Sequence, residues 1–149
     1  MRSKAPLALI EQAVMVLVFA LAAALCLRVF LWSDECSRRD EACDRALLEA
    51  QTAAETLKHA GGEEDQALEA ASRALGGQVS HRVWSLYYDE TWAVSGREQA
   101  AYRLEAQPEP TGLAGLRQVR IQITGADGAG SSPLAELTVA WQGEVGPHG

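Results

Sequence analysis

The stretch that most constrains this chain is the apolar run from Leu7 to Leu27. Between Ala13 and Leu27 it carries no polar side chain. Where no water can satisfy backbone N–H and C=O groups, such a run folds as an α-helix that closes its own hydrogen bonds. About 21 residues at ~1.5 Å each give roughly 31 Å, the hydrocarbon thickness of a bilayer. Arg28 follows at the far edge, where a long side chain snorkels to the headgroups, and Trp32 stands where an interfacial aromatic belongs. Glu11 sits at the near edge. An ionisable side chain there is costly and by default raises a functional question.

Charge sets the expected topology. Arg2, Lys4 and the α-amine make the N-terminus the basic side, so the positive-inside rule places it in the cytoplasm and the rest of the chain outside. The alternative is a cleaved secretory signal peptide, but its apolar core usually spans only ~7–15 residues. Ala22-Ala23-Ala24 would suit a signal peptidase, while Leu25 before Cys26 does not suit lipoprotein cleavage. Length favours a retained anchor. Beyond residue 32 the chain has ten Lys/Arg against nineteen Asp/Glu, a balance of −9. An acidic body offers no electrostatic footprint for nucleic acid. At 149 residues the chain amounts to one small domain plus this anchor.

The helix should continue past the membrane. Ser33 to Ala60 contains no Pro or Gly and is rich in good helix formers. Cys36, Cys43, Ala50 and Leu57 recur every seven residues, Leu47 and Ala54 fill the intervals, and Ala46 and Ala53 widen the stripe. Glu49, Glu55 and Lys58 fall off it and are expected in water. Gly61-Gly62 ends the run, giving one helix of about 50 residues. Cys36 and Cys43 are ~10.5 Å apart along such a helix, too far for a disulfide within the chain. They read as free thiols on a packing stripe, with a bond between neighbouring copies as the alternative; Cys26 reads as a small packing residue. A second helix fits Glu63–Leu75, with Ala67, Leu68, Ala71, Ala74 and Leu75 as its apolar face and Gly76-Gly77 after it.

From Val79 the hydrophobic period changes to two. Strands are expected at His81–Tyr88, Ala101–Ala106, Leu116–Thr124 and Leu134–Gln142, with Asp89-Glu90 as a tight turn and Thr91–Val94 as a short return strand. Pro108 and Pro110 should break any strand, and 125–133 is a Gly/Ser-rich loop. Short strands joined by turns predict an antiparallel meander of about four strands, wet on one side. Its apolar face needs a cover, and the amphipathic half of the long helix is the obvious one. The fold class is therefore α+β. Segments are 1–6 (basic leader-like), 7–32 (transmembrane), 33–60 (extracytoplasmic helix) and 63–149 (short helix plus sheet).

The basic leader, Leu7-Ala8-Leu9-Ile10-Glu11, the continuing helix and the C-terminal sheet together resemble type IV pilins and type II secretion pseudopilins. The strand ending Thr138-Val139-Ala140-Trp141 is similar to the last strand of some minor pilins. The resemblance implies a prepilin peptidase cut between Pro6 and Leu7 and a methylated new N-terminus. It gives Glu11 the role of the glutamate that pairs with a neighbouring subunit's amine. Partners would be other pilin-like subunits, the lipid membrane and the peptidase. The chain departs from the pattern in having Pro6 where the family has glycine, and Leu7 where it usually has phenylalanine. An uncut chain would lack the amine that Glu11 is expected to meet.

Little in the sequence points to chemistry. His59, His81 and His148 hold no ligand spacing, and no zinc motif occurs. The glycine-rich stretch after Gly125 lacks the Lys and Ser/Thr of a phosphate loop. Asp89, Glu90 and Asp127 do not have the spacing of a calcium loop, and Ser131 and Ser132 have no base near them in sequence. The expectation is no enzyme, no cofactor, no metal and no small-molecule substrate. Trp84, Trp92 and Trp141 read as packing between sheet and helix, with an exposed binding patch as the alternative. Ala20 and Ala24 are spaced as small-x-x-x-small and would let helices approach closely. The predicted role is a structural subunit at the cell surface, and the rival is an anchored extracytoplasmic binding domain that does not polymerise.

Overall fold

The structure, a computed structural model, describes residues 5–126 and 132–143, with side chains from residue 8 onward. Expectations placed on Arg2, Lys4, Asp127, Ser131, His148 and the last six residues lie outside that range. Helix α1 runs Ala5–Ala60 and α2 runs Glu64–Leu75. Strands β1 (Gln78–Ser80), β2 (Val83–Tyr88), β3 (Tyr102–Pro108), β4 (Leu116–Gly125) and β5 (Ala135–Gln142) follow, with a 3-10 turn at Arg97–Gln99. The chain divides into two units between Glu41 and Ala42.

In the second unit the five strands pair antiparallel in sequence order, an uninterrupted meander. The alternation expected for Leu116–Thr124 holds: Val119, Ile121 and Ile123 are buried, while Gln118, Arg120 and Gln122 are partly exposed on the other face. The buried side chains of the sheet meet Ala46, Ala50, Ala53, Ala54 and Leu57 of α1 and Ala67, Leu68 and Ala71 of α2 in one core. Alanines give the helices little volume. The bulk of the core therefore comes from the strands: Trp84, Leu86, Leu104, Val119, Ile121 and Ile123.

Several expectations are corrected. There are five strands, not about four: Gln78–Ser80 is an additional strand ahead of the expected His81–Tyr88, whose first two residues form the loop of a hairpin and whose remainder is β2. Ser80 pairs with Val83 across a two-residue loop, and His81 and Arg82 both take positive φ, 51° and 62°. That twist suits a tight hairpin, but it usually calls for Asn-Gly, so the loop gave no sequence signal. Pro108 does not break β3 but ends it, opposite Val119. Of Thr91–Val94 only Val94 pairs, as a single bridge to Tyr88. Asp89 organises that turn instead: its Oδ1 accepts from the Thr91 N–H, the Thr91 hydroxyl and the Ala93 N–H. Those bonds, the Thr91 hydroxyl foremost, hold the Asp89 carboxyl below its usual range.

The stripe on α1 also shifts. Cys36 is exposed, Cys43 is half-buried and Leu47 is 43% exposed, while Ala46 and Ala53 are fully buried. The buried arc keeps Ala50 and Leu57 of the heptad line and leans toward Ala46 and Ala53, away from Leu47. Glu49, expected in water, is half-buried and accepts a 3.2 Å hydrogen bond from the Tyr88 hydroxyl. On α2, Ala74 is exposed despite its place in the predicted apolar face.

Candidate functional site

The first unit contains one helical segment and is chemically simple. Every described side chain from Ala8 to Glu41 is exposed, including Phe19, Phe30 and Trp32 at 78%, 73% and 71%. This is the one helix among the described residues long and apolar enough to cross a membrane. Burying one large apolar side chain is worth about 1.5–3 kcal/mol, so a helix with so many left bare needs lipid or other helices around it.

Glu11 lies on this surface, and no ion pair to it occurs among the described residues. Ala20 and Ala24 stand one turn apart on the same exposed helix. Pro6 and Leu7 fall in the first turn of α1, which begins at Ala5. Proline suits a first turn, where its missing N–H has no helical partner in any case. Beyond the apolar run the helix turns charged, and Arg38 bridges Asp34 one turn earlier at 3.0 Å.

In the second unit the polar contacts concentrate where the two helices join. Trp141 donates its indole N–H to the Gly62 carbonyl at 3.0 Å, and Trp84 does the same to Gly76 at 2.9 Å. Each tryptophan thereby pins the glycine pair that follows a helix. Two arginines then hold the acidic start of α2. Arg117 bonds Glu63 at 2.6 Å and reaches Glu64 at 3.8 Å; Arg82 bonds Asp65 at 2.8 Å and reaches Glu64 at 3.9 Å. Hydrogen bonding to Asp65, then its charge, raises the Arg82 guanidinium further above its ordinary value. The partly buried Arg117 clamps the turn more firmly than the exposed Arg82. No residue spacing announced this junction, because its partners lie 54 to 79 positions apart in the longest contacts.

The tryptophans match the packing reading more than the patch reading. Trp84 and Trp141 are buried, and half-buried Trp92 stacks on Tyr102 at 4.2 Å and tilts against Tyr88 at 5.8 Å. The outer sheet face is polar, with Arg120 bridging Glu109 and reaching Glu136, and Gln118 and Gln122 bonding the same two carboxylates. A cleft of about 330 Å³ opens at the β1–β2 edge beside Gly77, Ser85, Tyr87 and Arg97. No group of three or more His, Cys, Asp or Glu side chains converges among the described residues. Comparison with protein families, with curated proteins and with solved structures returned no match.

Proposed function

We propose that the chain is a membrane-anchored, pilin-like structural subunit, of the minor pilin or pseudopilin kind. Its apolar helix packs laterally against other such subunits, and its N-terminus lies in the cytoplasm. The observation that carries this reading is a helical segment apolar on all sides, its described side chains exposed, with the carboxylate of Glu11 on it. Lipid alone satisfies the apolar surface but not Glu11. A carboxylate near the bilayer edge gains from a cation on a neighbour, because screening there is poor. Ala20 and Ala24 permit the close approach that such pairing requires. The α+β body on the same chain would then carry whatever is specific to the assembly: a cap, a cargo contact or adhesion.

The test is disulfide trapping in isolated membranes, with single cysteines placed along residues 13–24 and the native cysteines removed. A helical periodicity of trapped dimers is expected, strongest on the face of Ala20 and Ala24. Monomer at every position would sink the assembly reading.

The second reading, an anchored domain that stays monomeric, is favoured by Pro6. Its place in the first turn of α1 gives it a local structural reason, and a protease cleft shaped for glycine accepts it poorly. The intact mass of the membrane protein separates cut from uncut chains.

A further inference from the structure

The cleft of about 330 Å³ at the β1–β2 edge lies where two segments share one strand. Gln78 of β1 pairs with Ser85, and two residues further along β2 the Ser95 N–H bonds the Tyr87 carbonyl at 2.9 Å. Gln78 and Ser85 are cross-strand neighbours, and Tyr87 stands on the same side of the sheet as Ser85. Leu86 and Val94 add apolar lining, and Arg97 lines the cleft from the 3-10 turn. We propose that this cleft binds a hexuronic acid, a polyhydroxylated ring with one negative charge, its carboxylate on Arg97 and its hydroxyls on Gln78, Ser85 and Tyr87. The site lies wholly within the second unit and stands whether or not the anchors assemble.

Charge decides the sign of the ligand. Arg97 is exposed and makes no ion pair or side-chain hydrogen bond among the described residues. It is the one charged side chain among the described residues lining the cleft. Its neighbour Glu98 lines a separate cleft of about 490 Å³ with Asp89 and Glu90, so the turn parts the cation from the acids. Glu105, opposite Ser85 on β3, is bridged by Arg103 at 3.3 Å. A guanidinium fork takes a carboxylate through two parallel N–H bonds.

The neutral lining decides the rest. The side chains of Gln78, Ser85 and Tyr87 make no hydrogen bond among the described residues, which leaves an amide and two hydroxyls to meet hydroxyls of a ligand. The Tyr87 ring, Leu86 and Val94 suit the C–H face of a pyranose. No carboxylate among the described residues lines the cleft, so the ammonium of an amino acid would find no partner there, and one cation leaves a dicarboxylate half unpaired. An added peptide strand fits poorly, because the attachments of Gln78 and Ser95, two residues apart on β2, leave no length of free edge. The volume lies at the low end of small-molecule sites, which span ~300–1,000 Å³, and so suits a single ring.

The experiment titrates the full chain in detergent micelles with sodium galacturonate, read by saturation-transfer NMR. Galactose, which lacks the carboxylate, and acetate, which lacks the ring, are run beside it. The expected dissociation constant is near ~1 mM for galacturonate and about tenfold weaker for either control. Arg97→Gln should weaken galacturonate about tenfold, and Arg97→Lys, which keeps the charge but not the fork, by less. Tyr87→Phe should cost about threefold, one neutral hydrogen bond at an open site. Arg73→Gln, at an exposed arginine of α2 outside the cleft lining, should change nothing. Unchanged thermal midpoints check that each variant is folded. Trigalacturonate binding as well as the monomer would assign the ring to a glycan, and its exclusion would assign a free acid; either keeps the site. Galactose or acetate binding as tightly as galacturonate would overturn the ligand class. Equal losses in Arg97→Gln and Arg73→Gln would overturn the location, and no transfer at about 20 mM, some twenty times the expected constant, would overturn the site itself.

Discussion

Replacing Trp84 by phenylalanine probes how the body is held. Trp84 is fully buried, its indole N–H donates to the Gly76 carbonyl at 2.9 Å, and its backbone pairs with Val79 and Ala106. Phenylalanine keeps a ring in place but removes the donor. The lost bond counts for about 1 kcal/mol net, and a stranded carbonyl for about 1–3 kcal/mol if no water reaches it. The smaller ring leaves roughly 40 Å³ empty, which at ~24 cal/mol per Å³ adds about 1 kcal/mol. The expected cost is therefore ~2–4 kcal/mol. In urea, followed by far-ultraviolet circular dichroism of the full chain in detergent, the midpoint should fall by about 2 M for a slope near 1.5 kcal/mol/M. The same change at Trp141, 7% exposed and bonded to Gly62, should cost less, because water can reach the freed carbonyl more easily. A Trp84→Phe midpoint within about 0.3 M of the parent, at unchanged slope, would refute the claim that the indole bond fixes the end of α2.

Other substitutions test separate parts of the account. Leu57→Ala should cost about 2–5 kcal/mol and Leu47→Ala under ~0.5 kcal/mol, since Leu57 is fully buried and Leu47 is 43% exposed; equal midpoints would contradict the position of the buried arc on α1. Burial, then the charge of Glu49 and its hydrogen bond, raises the Tyr88 phenol well above its ordinary value. A raised folded-state pKa means this contribution is complete below the unfolded value of about 10 and is lost as pH rises beyond it. Tyr88→Phe should therefore flatten the alkaline limb of a stability-against-pH curve above about pH 10 and leave the neutral-to-acid limb's shape alone; an unchanged alkaline limb would count against the burial of the Tyr88 phenol beside Glu49. Gly77→Ala should destabilise strongly, because a Cβ there would lie 2.4 Å from the Ser85 carbonyl at a φ of +86°, whereas Gly61→Ala meets nothing within 4 Å and should carry only the milder cost of its positive φ. Comparable thermal midpoints for the two glycine variants would refute the close approach.

Particular elements show where sequence reasoning reached and where it stopped. The alternation of Val119, Ile121 and Ile123 against Gln118, Arg120 and Gln122 marks a strand with one dry face, and β4 has one. The hairpin at His81-Arg82 was not legible, since its positive φ values come without glycine or asparagine and are held among neighbours such as Asp65. Glu49 looked like a solvent residue by its place on the helix; only the sheet's Tyr88, 39 positions away, makes it a partner.

By itself the sequence determined that residues 7–27 form a helix needing an apolar surround, that Glu11 is an anomaly on it, and that a half-wet antiparallel sheet follows. These are local properties: length, periodicity and the cost of an exposed backbone in lipid act within a few turns of chain. Tertiary structure decided which arc of α1 is buried, which tryptophans pin which glycines, and how Arg82 and Arg117 share the acids of α2. Those outcomes depend on contacts between distant positions, and a pattern of single residues carries no record of them until the sheet and helices are brought together.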